Sequence, residues 1–87
     1  MNSKQKRTLQ AVFENPVRAN LKWSDLEKLI VALGGEVKEG SGSRVLLILN
    51  EEQGAFHRPH PQKEAKKYVV RLFRDFLTAA GVEDDRI

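Results

Sequence analysis

The sequence predicts an α+β domain in which helices pack on one face of a three-stranded antiparallel sheet. Three features point there. Apolar residues recur at three- and four-residue steps from Val69 to Ala80, a wide helical stripe. The run Arg44 to Leu49, RVLLIL, is short, apolar and rich in branched residues, the pattern of a strand. Glycine-rich and polar turns bracket that run on both sides, at Gly40-Ser41-Gly42 and at Asn50 to Gly54.

Taken in order, SKQKRTLQAVFENP reads as a short first helix. Ser3 is its expected cap, and Leu9, Val12 and Phe13 form a narrow apolar stripe. Pro16 ends it by pushing Asn15 out of helical geometry. PVRANLKW follows as a connector. Ser24-Asp25-Leu26-Glu27 fits a capping box, with Ser24 as N-cap, and Leu26, Leu29, Ile30 and Leu33 make one buried face. Gly34-Gly35 stops this second helix, the first glycine being suited to left-handed geometry. Three strands are expected next: Glu36 to Glu39, Arg44 to Leu49, and Ala55 to Arg58, the last limited by Pro59. RVLLIL does not alternate cleanly, which predicts a central strand covered at least partly on both sides. The last helix is expected from Pro61 or Lys63 to Ala80, with Gly81 as its stop and a fraying acidic tail beyond.

A chain of 87 residues makes one domain with a small core, burying about 60% of the surface its unfolded form exposes. Any chemistry therefore belongs on a groove or an edge. The absence of cysteine excludes a disulfide framework and a thiolate metal site, and no further His or carboxylate pair completes a ligand set with His57 and His60. Neither a metal nor another cofactor is expected. No apolar run approaches the roughly 18 residues of a membrane span, so a soluble cytoplasmic protein that does not engage membranes is expected. The net charge of +3 is unevenly spread: residues 1–22 carry +4, 23–56 carry −3, 57–74 carry +5 and 75–87 carry −3. Two basic blocks flank an acidic middle, a distribution that suits a polyanion such as nucleic acid and equally keeps a small protein soluble.

Both histidines sit in Phe56-His-Arg-Pro-His-Pro61. Imidazole gives and takes protons near neutral pH, which metal-free RNA cleavage requires. Strand alternation with Phe56 inward turns His57 outward. His60 falls where the strand gives way to the expected helix start, so that a phosphate would meet His60, the first amides of that helix and Lys63. The plainer reading is that His60 caps a helix and His57 is an ordinary edge residue. Ser43 and Arg44, at the end of the Gly40–Gly42 turn, offer a hydroxyl and a two-pronged guanidinium to a phosphate; as a plain turn they would do neither. Arg58, Lys63, Lys66 and Lys67 supply further positive charge. Trp23 and Tyr68 have faces on which bases stack, but such residues are more often core, and Trp23, just before a helix cap, reads as a hydrophobic staple.

Together, Gly34-Gly35, the Gly42-Ser43 start of the central strand and the Phe56-His-Arg-Pro59-His60-Pro-x-Lys63-Glu64 junction resemble the HicA family, small toxins of bacterial type II toxin–antitoxin pairs. The resemblance covers roughly Leu21 to Val82. It implies a fold like the double-stranded-RNA-binding domain over residues 21–82, an N-terminal helical extension over 1–20 and an acidic tail over 83–87. It further implies a ribosome-independent endoribonuclease acting on mRNA and neutralised by a HicB antitoxin. Family members commonly carry a histidine, regarded as catalytic, directly after the Gly-Ser pair; this chain has Arg44 there. Arginine stays protonated and cannot act as a general base. Two functions follow as expectations. One is an RNA-cleaving toxin using His57, His60 and Arg44, with Ser43, Arg58, Lys63, Lys66 and Lys67 on phosphate. The other is an inactive module of the same kind that binds RNA or an antitoxin-type partner. A protein–protein adaptor working through an exposed strand edge is a third reading, and the expected state is a monomer or weak homodimer.

Overall fold

A computed structural model describes residues 1–60 and 62–83. Its elements run α1 (Ser3–Val12), β1 (Leu21–Lys22), α2 (Trp23–Ala32), β2 (Glu36–Glu39), β3 (Arg44–Leu49), β4 (Glu52–His57), β5 (Glu64–Ala65) and α3 (Lys67–Ala79). The main sheet is antiparallel with strand order β2-β3-β4. The architecture is the expected α+β one, three helices with a three-stranded antiparallel sheet, and it is compatible with a double-stranded-RNA-binding fold carrying an additional N-terminal helix. Proline 61 and residues 84–87, most of the expected acidic tail, lie outside the described residues.

The sheet has one dry face. Val45, Leu47 and Leu49 point to the helices and are buried, while Arg44, Leu46 and Ile48 point the other way. The expectation of cover on both sides of RVLLIL is thus corrected: its alternation is real in burial and is masked in sequence because Leu46 and Ile48 are apolar on the open face. From the helices, Leu26, Leu29 and Ile30 of α2 and Val70, Phe73 and Leu77 of α3 complete the core. Phe56 is its hub, with ring centroids 5.8 Å from Trp23 and 6.2 Å from both Phe73 and Phe76.

α1 belongs to the same core through Leu9, Ala11 and Val12. Its cap is Asn2, not Ser3: Asn2 and Gln5 exchange side-chain-to-backbone bonds of 2.9 Å in both directions. At its other end Arg74 of α3 donates from Nε to the Val12 carbonyl (2.8 Å) and from Nη2 to that of Glu14 (2.5 Å), satisfying acceptors that a helix end leaves unpaired.

α2 begins at Trp23, with Lys22 as N-cap and no side-chain cap bond, so Ser24 does not cap it. The reason is tertiary. The Trp23 N–H donates to the Lys63 carbonyl (2.9 Å), a strand-derived partner for an orphan donor, and Glu27 is engaged elsewhere. The connector expected at PVRANLKW and the helix start expected at Pro61 or Lys63 are both corrected by one feature: Leu21 pairs with Ala65 and Lys22 with Glu64 in a small antiparallel ladder. Ala65 is buried there, and α3 starts only after Lys66. Both α2 and α3 end as anticipated. Gly34 and Gly81 adopt φ of +94° and +84°. Gly35 N–H bonds to the Ile30 carbonyl and Val82 N–H to that of Leu77, both 2.9 Å, the long bond of a Schellman ending.

The β3–β4 hairpin is tighter than its polar composition suggests. Leu49 pairs with Glu52, leaving a two-residue connection in which Asn50 and Glu51 have φ of +49° and +71°. Both positive values match the hairpin turn whose twist suits the strands. Asn50 also donates from Nδ2 to the Ala80 carbonyl (2.8 Å), tying the turn to the end of α3. Among the described residues no helix is long and apolar enough to cross a membrane.

Two substitutions probe these junctions with opposite signs. A side chain at Glu51 pays the left-handed penalty, so Glu51→Gly is expected to raise stability by about 0.5–1 kcal/mol. A methyl at Gly35 would overlap the Ile48 carbonyl and lie 2.9 Å from Ile30 Cγ2, so Gly35→Ala is expected to lower it by about 1–3 kcal/mol. Urea melts of the two variants check both.

Candidate functional site

Strand β4 delivers the histidine segment. Because Phe56 is turned into the core, His57 projects from the opposite face and is exposed. Its cross-strand partner is Arg44 at the start of β3. The flanking bond, Arg58 N–H to the Ser43 carbonyl at 2.8 Å, makes this a non-hydrogen-bonded pair, the kind in which opposed side chains come closest. Imidazole and guanidinium therefore share the open side of the sheet.

His57 also lines a groove of about 380 Å³ together with His60, Gln62, Lys66 and Tyr68. The groove runs between the chain leaving β4 and the first turn of α3. His60 and Lys66 are exposed within it. Neither imidazole has a side-chain hydrogen bond or ion pair among the described residues, and the same holds for Arg44, Lys63, Lys66 and Lys67. These groups are available to a ligand.

Lys63 falls elsewhere. It lines a separate cavity of about 260 Å³ on the α2 side of the loop, with Trp23, Ser24 and Glu27. Since α3 starts at Lys67, neither His60 nor Lys63 sits at a helix N-terminus, and the expected meeting of His60, helix amides and Lys63 around one phosphate is not formed. The Gly40–Arg44 turn is closed on itself: Gly40 N–H donates to the Arg44 carbonyl (2.8 Å) and Arg44 N–H to that of Ser41 (3.3 Å). Ser43 and Lys67 are exposed but line neither cavity. Trp23 is core, as read, with 5% of its surface exposed, and Tyr68 is its opposite at 58%.

Arg58 is the residue whose role sequence reasoning missed. Its guanidinium makes four hydrogen bonds to two carboxylates: Nε and Nη2 to Glu27 of α2 (2.7 and 3.2 Å), Nη1 and Nη2 to Glu39 of β2 (2.6 and 2.5 Å). Glu27 in turn accepts from Trp23 Nε1. Bidentate pairing of this kind is directional as well as strong. It fixes the backbone between His57 and His60 to a helix and to the far strand. The bonds to both carboxylates hold the Arg58 pKa above its ordinary value, and Arg58 holds the Glu39 carboxyl below its own. No group of three His, Asp or Glu that would hold a metal ion occurs among the described residues.

The family model for the HicA toxin of bacterial toxin–antitoxin systems matches residues 23–82, more than half of the chain. The chain belongs to the HicA toxin family. No curated protein and no solved structure matches it significantly. Family membership places the chain among toxins of toxin–antitoxin systems and implies an antitoxin as partner. The matched segment holds Arg44, both histidines and the whole groove.

The Arg58 clamp makes a prediction about acid. Glu39 titrates below its ordinary 4.5 when folded, so its contribution is present above that value and is lost as pH falls through the lower folded one. Replacing it by Glu39→Gln should flatten the acid limb of stability. Urea midpoints measured downward from just above pH 4.5 test this; parallel losses in wild type and variant would exclude an acid-sensitive contribution from Glu39.

Proposed function

We propose that the chain is an RNA-acting HicA toxin that cleaves mRNA without a metal. The observation that carries this reading is the sharing of one open groove by His57, His60 and Lys66, with Arg44 beside His57 across the ladder. In the proposed reaction one imidazole takes the proton of a ribose 2′-hydroxyl. The 2′-oxygen bonds to the adjacent phosphorus, and the bond to the 5′-oxygen breaks. The other imidazole, protonated, gives its proton to that leaving oxygen, so the products are a 2′,3′-cyclic phosphate and a 5′-hydroxyl. Arg44 and Lys66 offset the charge that builds on the phosphorane. Ser43, Lys63 and Lys67 lie outside the groove and are assigned to other phosphates of a longer strand rather than to the scissile one. Arg58, spent on Glu27 and Glu39, acts as a strut for the loop instead of as a phosphate ligand.

A second reading is favoured by Arg44 itself. It stands where the resemblance puts the catalytic histidine, and a guanidinium binds phosphate without moving a proton. On this reading the same surface binds RNA or the antitoxin and does not cut.

Incubating the purified protein with mRNA in EDTA separates them. Cleavage leaving cyclic phosphate ends, lost by 100-fold or more in His57→Ala or His60→Ala, is the expected result, in keeping with the roughly 10²–10⁴-fold contribution of a positioned acid or base. No cleavage by the wild type, or cleavage unchanged in both variants, rules out the enzymatic reading; salt-sensitive binding without cutting selects the second.

A further inference from the structure

Tyr68 is unlike the other aromatic residues of this chain. Trp23, Phe56, Phe73 and Phe76 are buried against one another, whereas Tyr68 is 58% exposed, and its hydroxyl has no hydrogen-bond partner among the described residues. It is the second residue of α3 and forms one wall of the histidine groove. Apolar surface from Pro59, Ala65 and Val69 lines the groove with it. Leu72, one turn further along α3, is 53% exposed and extends this apolar flank away from the groove.

The groove is therefore two-sided in chemistry. The imidazoles and Lys66 suit a phosphate; the phenol ring and its apolar neighbours do not. An aromatic face next to a cationic one is the combination by which proteins hold single-stranded nucleic acid, with the backbone on the charges and a base on the ring. A volume of about 380 Å³ lies at the small end of ligand pockets and is room enough for one base with its sugar. Bases inside an A-form duplex are stacked and out of reach of such a wall.

We infer that Tyr68 is a base-stacking platform, and that the groove selects RNA in which the base beside the phosphate held by His57, His60 and Lys66 is unstacked. The inference rests on the RNA reading above and adds to it a substrate class, single-stranded RNA, and a residue that determines it. Gln62, on the same groove, is the polar side chain placed to meet the edge of the stacked base.

The test uses the full chain and a single-stranded oligonucleotide of 2′-fluoro sugars, which has no 2′-hydroxyl and so is not cut, carrying one 2-aminopurine, with the same strand in a duplex as comparison. Wild-type protein should quench the 2-aminopurine and bind the single strand more tightly than the duplex. Tyr68→Ala should weaken single-strand binding by roughly 5- to 150-fold and remove the quenching, and Tyr68→Phe should retain both. The salt dependence should be unchanged in Tyr68→Ala and shallower by about one unit in Lys66→Ala, which loses a phosphate contact. If Tyr68→Ala binds as the wild type does while Lys66→Ala is weakened, the RNA reading stands and the stacking platform is refuted. If the wild type binds neither strand nor duplex at low salt, the RNA reading itself fails and the platform with it.

Discussion

The burial of Phe56 is the constraint on which the rest of this structure depends. Its ring touches Trp23 from α2 and Phe73 and Phe76 from α3, so a single side chain joins both helices to the edge strand. A strand has only two faces, and slipping one residue exchanges them. With Phe56 inside, His57 has to face outward and Arg58 has to return to the helix side, where Glu27 waits. Gly54 belongs to the same arrangement. A methyl there would lie 2.9 Å from both Phe56 and Phe76, so the strand is bare where the rings cross it. Functional geometry in the histidine segment is thus a consequence of how an aromatic core is packed one residue away.

The basic residues divide into two populations that net charge does not distinguish. Arg58 and Arg74 serve the fold. One clamps the loop to α2 and β2; the other closes the end of α1 from α3 and lies 5.9 Å from the Phe13 ring. Arg44, Lys63, Lys66 and Lys67 have no carboxylate partner among the described residues. The +5 of residues 57–74 therefore overstates the charge available to a polyanion and misplaces part of it. What remains is concentrated at the beginning of α3 and the start of β3, on either side of His57. Arg58 and Arg74 use the fixed, forked geometry of the guanidinium within the fold, whereas Arg44 and the three lysines turn their charge to solvent.

Much of the fold was legible because local signals agreed with tertiary ones. The α3 stripe, the Gly34 and Gly81 endings and the β3 run needed no long-range information. Failures occurred where a distant partner outbid a local preference. Ser24 was a sound cap in isolation, but Lys63 supplied a carbonyl to the Trp23 N–H and Glu27 was drawn to Trp23 and Arg58. The two-residue strands at Leu21–Lys22 and Glu64–Ala65 carry no periodicity of their own and exist only as a pair. Of the site, the outward turn of His57 and its nearness to Arg44 followed from alternation and hairpin register. The capture of Arg58 did not, because nothing in a sequence tells a guanidinium aimed at phosphate from one aimed at two glutamates 31 and 19 residues away. Tyr68 was visible as a stacking candidate but not as the exposed one; the later start of α3 is what brings it to the groove.

Arg44 gives the proposed chemistry its particular division of labour. A histidine at the head of β3 would combine charge and proton transfer in one side chain. With arginine there, the strand contributes a guanidinium that cannot act as a base, and in the proposed chemistry all proton movement falls to His57 at the end of β4 and His60 in the loop after it. That segment is suited to the task by its surroundings. Arg58 anchors it between the two imidazoles, Pro59 restricts it, and the small β1–β5 ladder holds its far end against α2. Register positions Arg44 and His57 together across the ladder, and the clamp braces the loop that carries His60. Weakening the clamp should therefore disturb the share of proton transfer that falls to His60 while leaving Arg44 and His57 in place, because those two owe their positions to the β3–β4 ladder and not to Glu27 or Glu39.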